Sequence, residues 1–120
     1  MSAYYYFKKH GYERWETQRD ISNAAVATTI TLHTPTSGKR VALTNLVVSS
    51  PINGSMAFYF QSAAQKQVKI LEVRGVATSA TIHPLVQCLE STAVDCPLLV
   101  RFNVGMTDGW SITAEGFDVD

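Results

Sequence analysis

The stretch Val26-Ala27-Thr28-Thr29-Ile30-Thr31-Leu32-His33 decides the fold class. Val26, Thr28, Ile30 and Leu32 share one parity and Ala27, Thr29, Thr31 and His33 the other, the period-2 signature of a strand with one covered face. The same chemistry continues outward: Val (12), Thr (12) and Ile (6) make up a quarter of the 120 residues, and their branched Cβ atoms suit a pleated surface. Met56, Phe58 and Phe60 alternate with Ala57, Tyr59 and Gln61, and Leu98, Val100, Phe102 and Val104 with Leu99, Arg101 and Asn103. Residues 40–49 carry apolar side chains on both parities, which fits a central strand covered on two faces or kinked near Asn45. Another strand runs from about Gln67 to Arg74 and ends at Gly75.

Turn chemistry separates these runs. Ser37-Gly38-Lys39 is one turn, and Pro51-Ile52-Asn53-Gly54 and Asp108-Gly109 read as hairpins because Asn-Gly and Asp-Gly tolerate positive φ. His83-Pro84 divides two short runs, 80–82 and 85–89, and its missing donor marks an edge or a bend. In the closing strand Trp110, Ile112 and Ala114 are even, whereas Phe117 and Val119 are odd; a β-bulge at Gly116 would account for the slip. About eight short strands without an amphipathic helix give an all-β class, an antiparallel β-sandwich or jelly roll with an N-terminal arm.

A mass of 13.2 kDa implies roughly 6,400 Å² of folded surface against about 19,000 Å² for the extended chain, enough burial for one unstapled domain. The formal net charge is +0, with 17% charged residues, which gives no electrostatic reason for a nucleic-acid partner. No run approaches the ~20 apolar residues of a membrane span, and no secretion signal is visible. A soluble protein without a membrane role is expected. The composition breaks near Asp20. Residues 1–20 hold seven of the charges, and six of the twelve aromatics lie in the first fifteen positions. The expected organisation is an aromatic and basic arm over 1–20 and a sandwich over 21–120.

The arm is the strongest functional feature. Tyr4, Tyr5, Tyr6, Phe7, Tyr12 and Trp15 form a large apolar group beside the alternating strands rather than within them, and such rings need a surface to cover. The leading reading is a protein interface, docking onto a sister subunit or another protein. Packing on its own domain and stacking against single-stranded nucleic acid are the alternatives, the last weakened because Glu13, Glu16 and Asp20 repel the phosphates that Lys8, Lys9, Arg14 and Arg19 would attract.

Little else reads as chemistry. His10, His33 and His83 lack second ligands at metal-binding spacing, so no metal or cofactor is expected; Asp108, Asp118 and Asp120 form an acidic end that calcium could use but that more often is only solvated. No G-x-S-x-G, P-loop, G-x-G-x-x-G or H-E-x-x-H motif occurs, and the chain is read as non-enzymatic. Cys88 and Cys96 are symmetric about Thr92. A hairpin turning at 91–93 would set them opposite each other for a disulfide, provided the Cα atoms lie within about 7 Å, while the absence of a secretion signal favours free thiols. Asn53-Gly54-Ser55 matches a glycosylation triplet and is also simply a turn.

From about Ala24 to Asp120 the chain resembles the small β-sandwich virion proteins of tailed bacteriophages, of the capsid decoration, cement or head-fibre base type. The likeness lies in Thr28–Leu32, the turn Ser37-Gly38-Lys39-Arg40-Val41, the run Val47-Val48-Ser49-Ser50, and the closing Trp110-Ser111-Ile112-Thr113-Ala114-Glu115-Gly116. The resemblance implies a structural protein, commonly a homotrimer, made in the host cytoplasm, that binds the major capsid protein or another virion component and reinforces the capsid surface. The aromatic N-terminus lies outside that pattern. A carbohydrate- or receptor-binding jelly roll is the alternative, with Tyr59, Trp110 or Trp15 stacking on sugar rings.

Overall fold

The computed structural model describes residues 9–21, 29–50, 54–62, 67–75, 79–102 and 110–120. They form eight strands: β1 Glu13–Ile21, β2 Thr29–His33, β3 Arg40–Ser50, β4 Gly54–Gln61, β5 Gln67–Gly75, β6 Ser79–Glu90, β7 Leu98–Phe102 and β8 Trp110–Val119. Two four-stranded antiparallel sheets result, ordered β1-β8-β3-β6 and β2-β7-β4-β5. The pairings follow one rule. β1 meets β8, β2 meets β7, β3 meets β6 and β4 meets β5, as in one long antiparallel ribbon. Rolling that ribbon adds the contacts of β3 with β8 and β4 with β7 and closes two sheets over one another, the eight-stranded jelly roll.

Successive strands therefore change sheet at most connections. The expected hairpins at Asn53-Gly54 and Asp108-Gly109 would join β3 to β4 and β7 to β8, yet each of these pairs is split between the sheets; residues 51–53 and 103–109 themselves lie outside the described residues. Only β4 and β5 are both consecutive and paired. The runs on either side of His83-Pro84 belong to one strand, β6, which lies at a sheet edge as the proline requires. The turn at 36–39 forms as expected, with the Lys39 N–H donating to the Thr36 carbonyl at 2.9 Å and Gly38 at φ +82°.

The core is the space between the sheets. Val41, Leu43, Leu46 and Val48 from β3, Met56 and Phe58 from β4, Leu98, Val100 and Phe102 from β7, and Ile112 from β8 are almost wholly buried. Burying each such side chain stabilises the fold by about 1.5–3 kcal/mol. The inward residues of β3 change from odd to even because the register against β8 shifts between Leu43 and Asn45, leaving Thr44 as an extra residue, and at the same place the β6 partner jumps from Leu89 to Pro84. Side chains stitch that bulge: Thr44 Oγ1 donates to the Glu115 carbonyl at 3.1 Å, and Asn45 Oδ1 accepts from the Leu46 N–H at 3.0 Å.

The bulge expected at Gly116 is absent. β8 pairs with β1 without a register shift from Glu13↔Asp118 to Ile21↔Trp110, so Phe117 and Val119 point away from the main core. They are buried all the same, in a second small cluster with Ala42 against which Tyr12 packs. The parity change thus records a strand covered on both faces. Gly116 has a different necessity: a Cβ there would stand 1.9 Å from the Ala42 carbonyl oxygen and 2.8 Å from Trp15 Cζ2.

Gly116→Ala is expected to lower the unfolding free energy by about 3 kcal/mol through this overlap. Gly38→Ala, in open space and strained only by its positive φ, should cost about 1 kcal/mol. Urea denaturation of the two variants checks the ranking, and equal losses would contradict it.

Candidate functional site

At the end of the sandwich where β1 begins, three elements converge on a polar node. β2 pairs with β7 through a shift between Thr31 and His33. The extra residue turns His33 inward beside Leu32, against the strict alternation of the sequence. His33 Nε2 lies 2.7 Å from Asp118 Oδ1, and Asp118 Oδ2 accepts the Thr36 N–H at 3.0 Å. The imidazole stacks on the Trp15 indole with centroids 4.2 Å apart and planes 10° from parallel. The Asp118 side chain is only 6% exposed, so its two oxygens are satisfied by these partners in place of water. Trp15 Nε1 is buried with no hydrogen-bond partner among the described residues. Chemically the node is a buried carboxylate–imidazole pair under an aromatic lid. It joins β1 and β8 of one sheet to β2 of the other.

This placement revises the readings of Trp15 and of the acidic end. Trp15 was expected on an arm facing a partner; instead it is 8% exposed and part of its own core, because β1 continues the sheet beyond β8 and Gly116 leaves room for the indole. The composition break near Asp20 is therefore not a structural boundary, since β1 spans Glu13–Ile21. Tyr12 also touches its own domain, packing on the Ala42, Phe117 and Val119 cluster and stacking with His10 at 6.2 Å between centroids. Tyr4, Tyr5, Tyr6 and Phe7 lie outside the described residues. Asp118 faces His33, while Asp120 pairs with Lys39; Asp108 is outside the described residues. Among the described residues no group of three or more His, Cys, Asp or Glu is arranged to hold a metal ion.

Charged side chains organise the outer face of the first sheet. Arg14 Nη2 bridges Glu16 at 2.8 Å and Glu115 at 2.5 Å, relieving the like charges that β1–β8 pairing sets opposite each other. These hydrogen bonds hold the Arg14 guanidinium pKa above its ordinary value. Asp120, by hydrogen bonding, likewise raises the Lys39 ammonium. A raised cationic pKa adds stability that is complete at neutral pH and lost only as the pH climbs through the lysine range. Both pairs are exposed and contribute little.

Cys88 and Cys96 are not placed on a shared hairpin. β6 and β7 belong to different sheets, and the intervening chain is fastened to the start of β3: the Ser91 N–H donates to the Val41 carbonyl and the Asp95 N–H to the Lys39 carbonyl, both at 2.9 Å. Cys96 is a free, buried thiol, 3.5 Å from the Val94 carbonyl; the Cys88 side chain lies outside the described ones. Beside Cys96 is a shallow groove of about 90 Å³, with Phe60, Val68, Ile70, Glu90 and Ala93 in its walls.

Asp118→Ala leaves His33 Nε2 and the Thr36 N–H without their acceptor and should cost about 2–4 kcal/mol. The check is urea unfolding followed by tryptophan fluorescence; an unchanged midpoint would mean that the node does not hold the sheets together.

No protein-family model matches the chain, and no curated protein matches it. Two solved structures are similar in fold at 12% identity each. One is a chain from the Bacillus endospore appendages described as a novel family of disulfide-linked pili, with 91% of each chain covered and a TM-score of 0.42. The other is from the structure of infectious bursal disease virus, Gx strain, with a TM-score of 0.47. There the likeness covers 88% of this chain and 32% of the viral one, so this chain spans about a third of that protein's length.

Proposed function

We propose that this chain is a structural virion protein, a jelly-roll block that associates with its own copies and attaches to a capsid shell, decorating and reinforcing it. The observation that carries the reading is the filled interior. From Val41 to Val48 in β3 and from Leu98 to Phe102 in β7, the inward side chains touch one another across the sheets and leave the centre of the sandwich to apolar packing. Jelly rolls that act on small ligands use an opening into the sheets. Here the outer faces, the sheet edges and the N-terminal segment are what can engage a partner. Tyr12, fastened over Ala42, Phe117 and Val119, anchors the chain just after the run Tyr4-Tyr5-Tyr6-Phe7. In this reading those four rings grip a sister subunit or the major capsid protein. The fold alone does not name a function; the reading adds the low charge and the aromatic surplus of the sequence to it. The carbohydrate-binding alternative loses Trp15, which is stacked on His33 inside the domain, and retains Tyr59 on an outer face.

Two truncations test the proposal by native mass spectrometry and far-ultraviolet circular dichroism. Removing residues 1–8 should leave the β signal intact and reduce the full chain's oligomers to monomers. Removing residues 1–20 should abolish the fold itself, because Trp15 and nearly all of β1 go with it. Oligomers that survive the shorter truncation unchanged would refute the role given to the four rings.

A further inference from the structure

β1 is joined to its partner strand by the fold and hardly at all by the sequence. It lies at the edge of its sheet and pairs with β8 alone, and Arg14 and Glu115, which bridge the two strands, stand 101 residues apart. Its covalent tie to the sandwich is the connection 22–28, which leads to β2 in the other sheet and can span at most about 25 Å. Among the described residues, the hydrogen bonds and ring contacts that β1 makes to other elements reach β8 and β2: Arg14 bridges to Glu115, Trp15 stacks on His33, and Arg19 Nη2 donates to the Thr31 carbonyl at 3.2 Å. β1 also carries Glu13, Arg14, Glu16, Arg19 and Asp20 among its nine residues, a charge density that discourages a further strand from pairing on its outer side.

The β8 edge is shaped for this one strand. Gly116 lies opposite Trp15 and leaves the space that the indole fills, and the indole so placed is part of the core. β8 contains Glu115 and Asp118 and no Lys or Arg, and Arg14 brings the cation that Glu115 takes. Sliding β1 by two residues would keep its faces but set the indole opposite Ala114 or Asp118, both of which have side chains. The edge therefore selects residues 13–21 of this protein and is indifferent to which copy supplies them.

We propose that β1 is exchanged between two copies of this chain, each inserting its strand at the β8 edge of the other. The inference rests on the self-association proposed above and names the element that carries it. Each contact that β1 makes to β8 and β2 in the closed chain is remade on the partner, so exchange sacrifices no packing, and the reciprocal form leaves no β8 edge empty and closes as a pair. The length of 22–28 requires the two copies to stand side by side, with the start of β2 in one within about 25 Å of the β8 edge of the other. Tyr4, Tyr5, Tyr6 and Phe7 precede β1 in the sequence and go where it goes, which brings them to the sister subunit. A partner other than a second copy would need an aromatic residue for the Gly116 space and a cation one position before it, on a strand of the same direction.

Cysteine pairs across the β1–β8 ladder test this on the full chain. Gln18 and Thr113 are register partners, as are Asp20 and Ser111, and none of the four is buried, so their substitution should leave the thermal melt unchanged. Antiparallel partners stand about 4.5–5.5 Å apart at Cα, within the reach of a disulfide. Gln18→Cys and Thr113→Cys chains, one of them labelled with heavy nitrogen, are refolded together and oxidised, and the linked peptides are mapped by mass. A bond from position 18 of one chain to position 113 of the other is expected, and one from 20 to 111 when Asp20→Cys is mixed with Ser111→Cys; neither variant alone can form it. With both substitutions of a pair in one chain, oxidation should give covalent dimers on a non-reducing gel. If sedimentation velocity shows an oligomeric wild type but the mixtures give no such bond and the double variants close only within single chains, exchange is overturned and self-association stands. A wild type that stays monomeric at every concentration overturns both.

Discussion

The indole of Trp15 occupies space that exists only because Gly116, its direct partner across the β1–β8 ladder, has no side chain. Much of the architecture follows from that contact. It lets β1 lie flat beside β8, and so extends the first sheet to four strands. It also sets the indole against His33 of the facing sheet, where Asp118 completes a polar bridge between layers. Apolar packing holds the centre of the sandwich together without regard to direction. The node at its end is directional and fixes how the two sheets meet. Aromatic cover over a strand glycine is a recurrent way of restoring the packing that a missing Cβ removes.

The sequence made the strands and most of the core legible. Period-2 runs at Met56–Phe60 and Leu98–Phe102 turned the expected faces inward, and the mixed parity of residues 40–49 marked the central strand with its kink near Asn45. Sheet membership was not legible, because a turn motif such as Asn53-Gly54 reports a change of direction and not whether the chain returns to the same layer. The bulge expected at Gly116 was misread and the irregularity in β2 was missed for a related reason. Phe117 and Val119 are buried on the outer face by contacts from the N-terminal side, and period-2 reading assigns every buried residue to one face. His33 turns inward through an irregularity in β2 that no residue type in Thr31-Leu32-His33 announces. One signal for the polar node was present. Asp118 shares parity with Ile112, Ala114 and Gly116, and a carboxylate on an inward parity demands a partner. Trp15 was hidden by its neighbours, since a charged strand at a sheet edge has the composition of a solvated arm.

The surface divides along the same lines. Charges, a short strand and a cross-sheet arginine contact finish the β1/β2 side, whereas on the other side Glu90 is the one Asp, Glu, Lys or Arg of β6 and β5 exposes Val68. Open rows on every edge would invite the chain to polymerise.

The ribbon pairing also governs the order of events during synthesis. β1 is made early and its partner β8 late, at roughly 5–20 residues per second, so β1 waits on the order of ten seconds before a mate exists. Contacts so distant along the chain make nucleation slow. During that delay the alternating Glu and Arg of β1 keep a nascent strand hydrated that would otherwise adhere to whatever lay nearby. The same charges that end the finished sheet thus also favour hydration of the strand while it is unpaired.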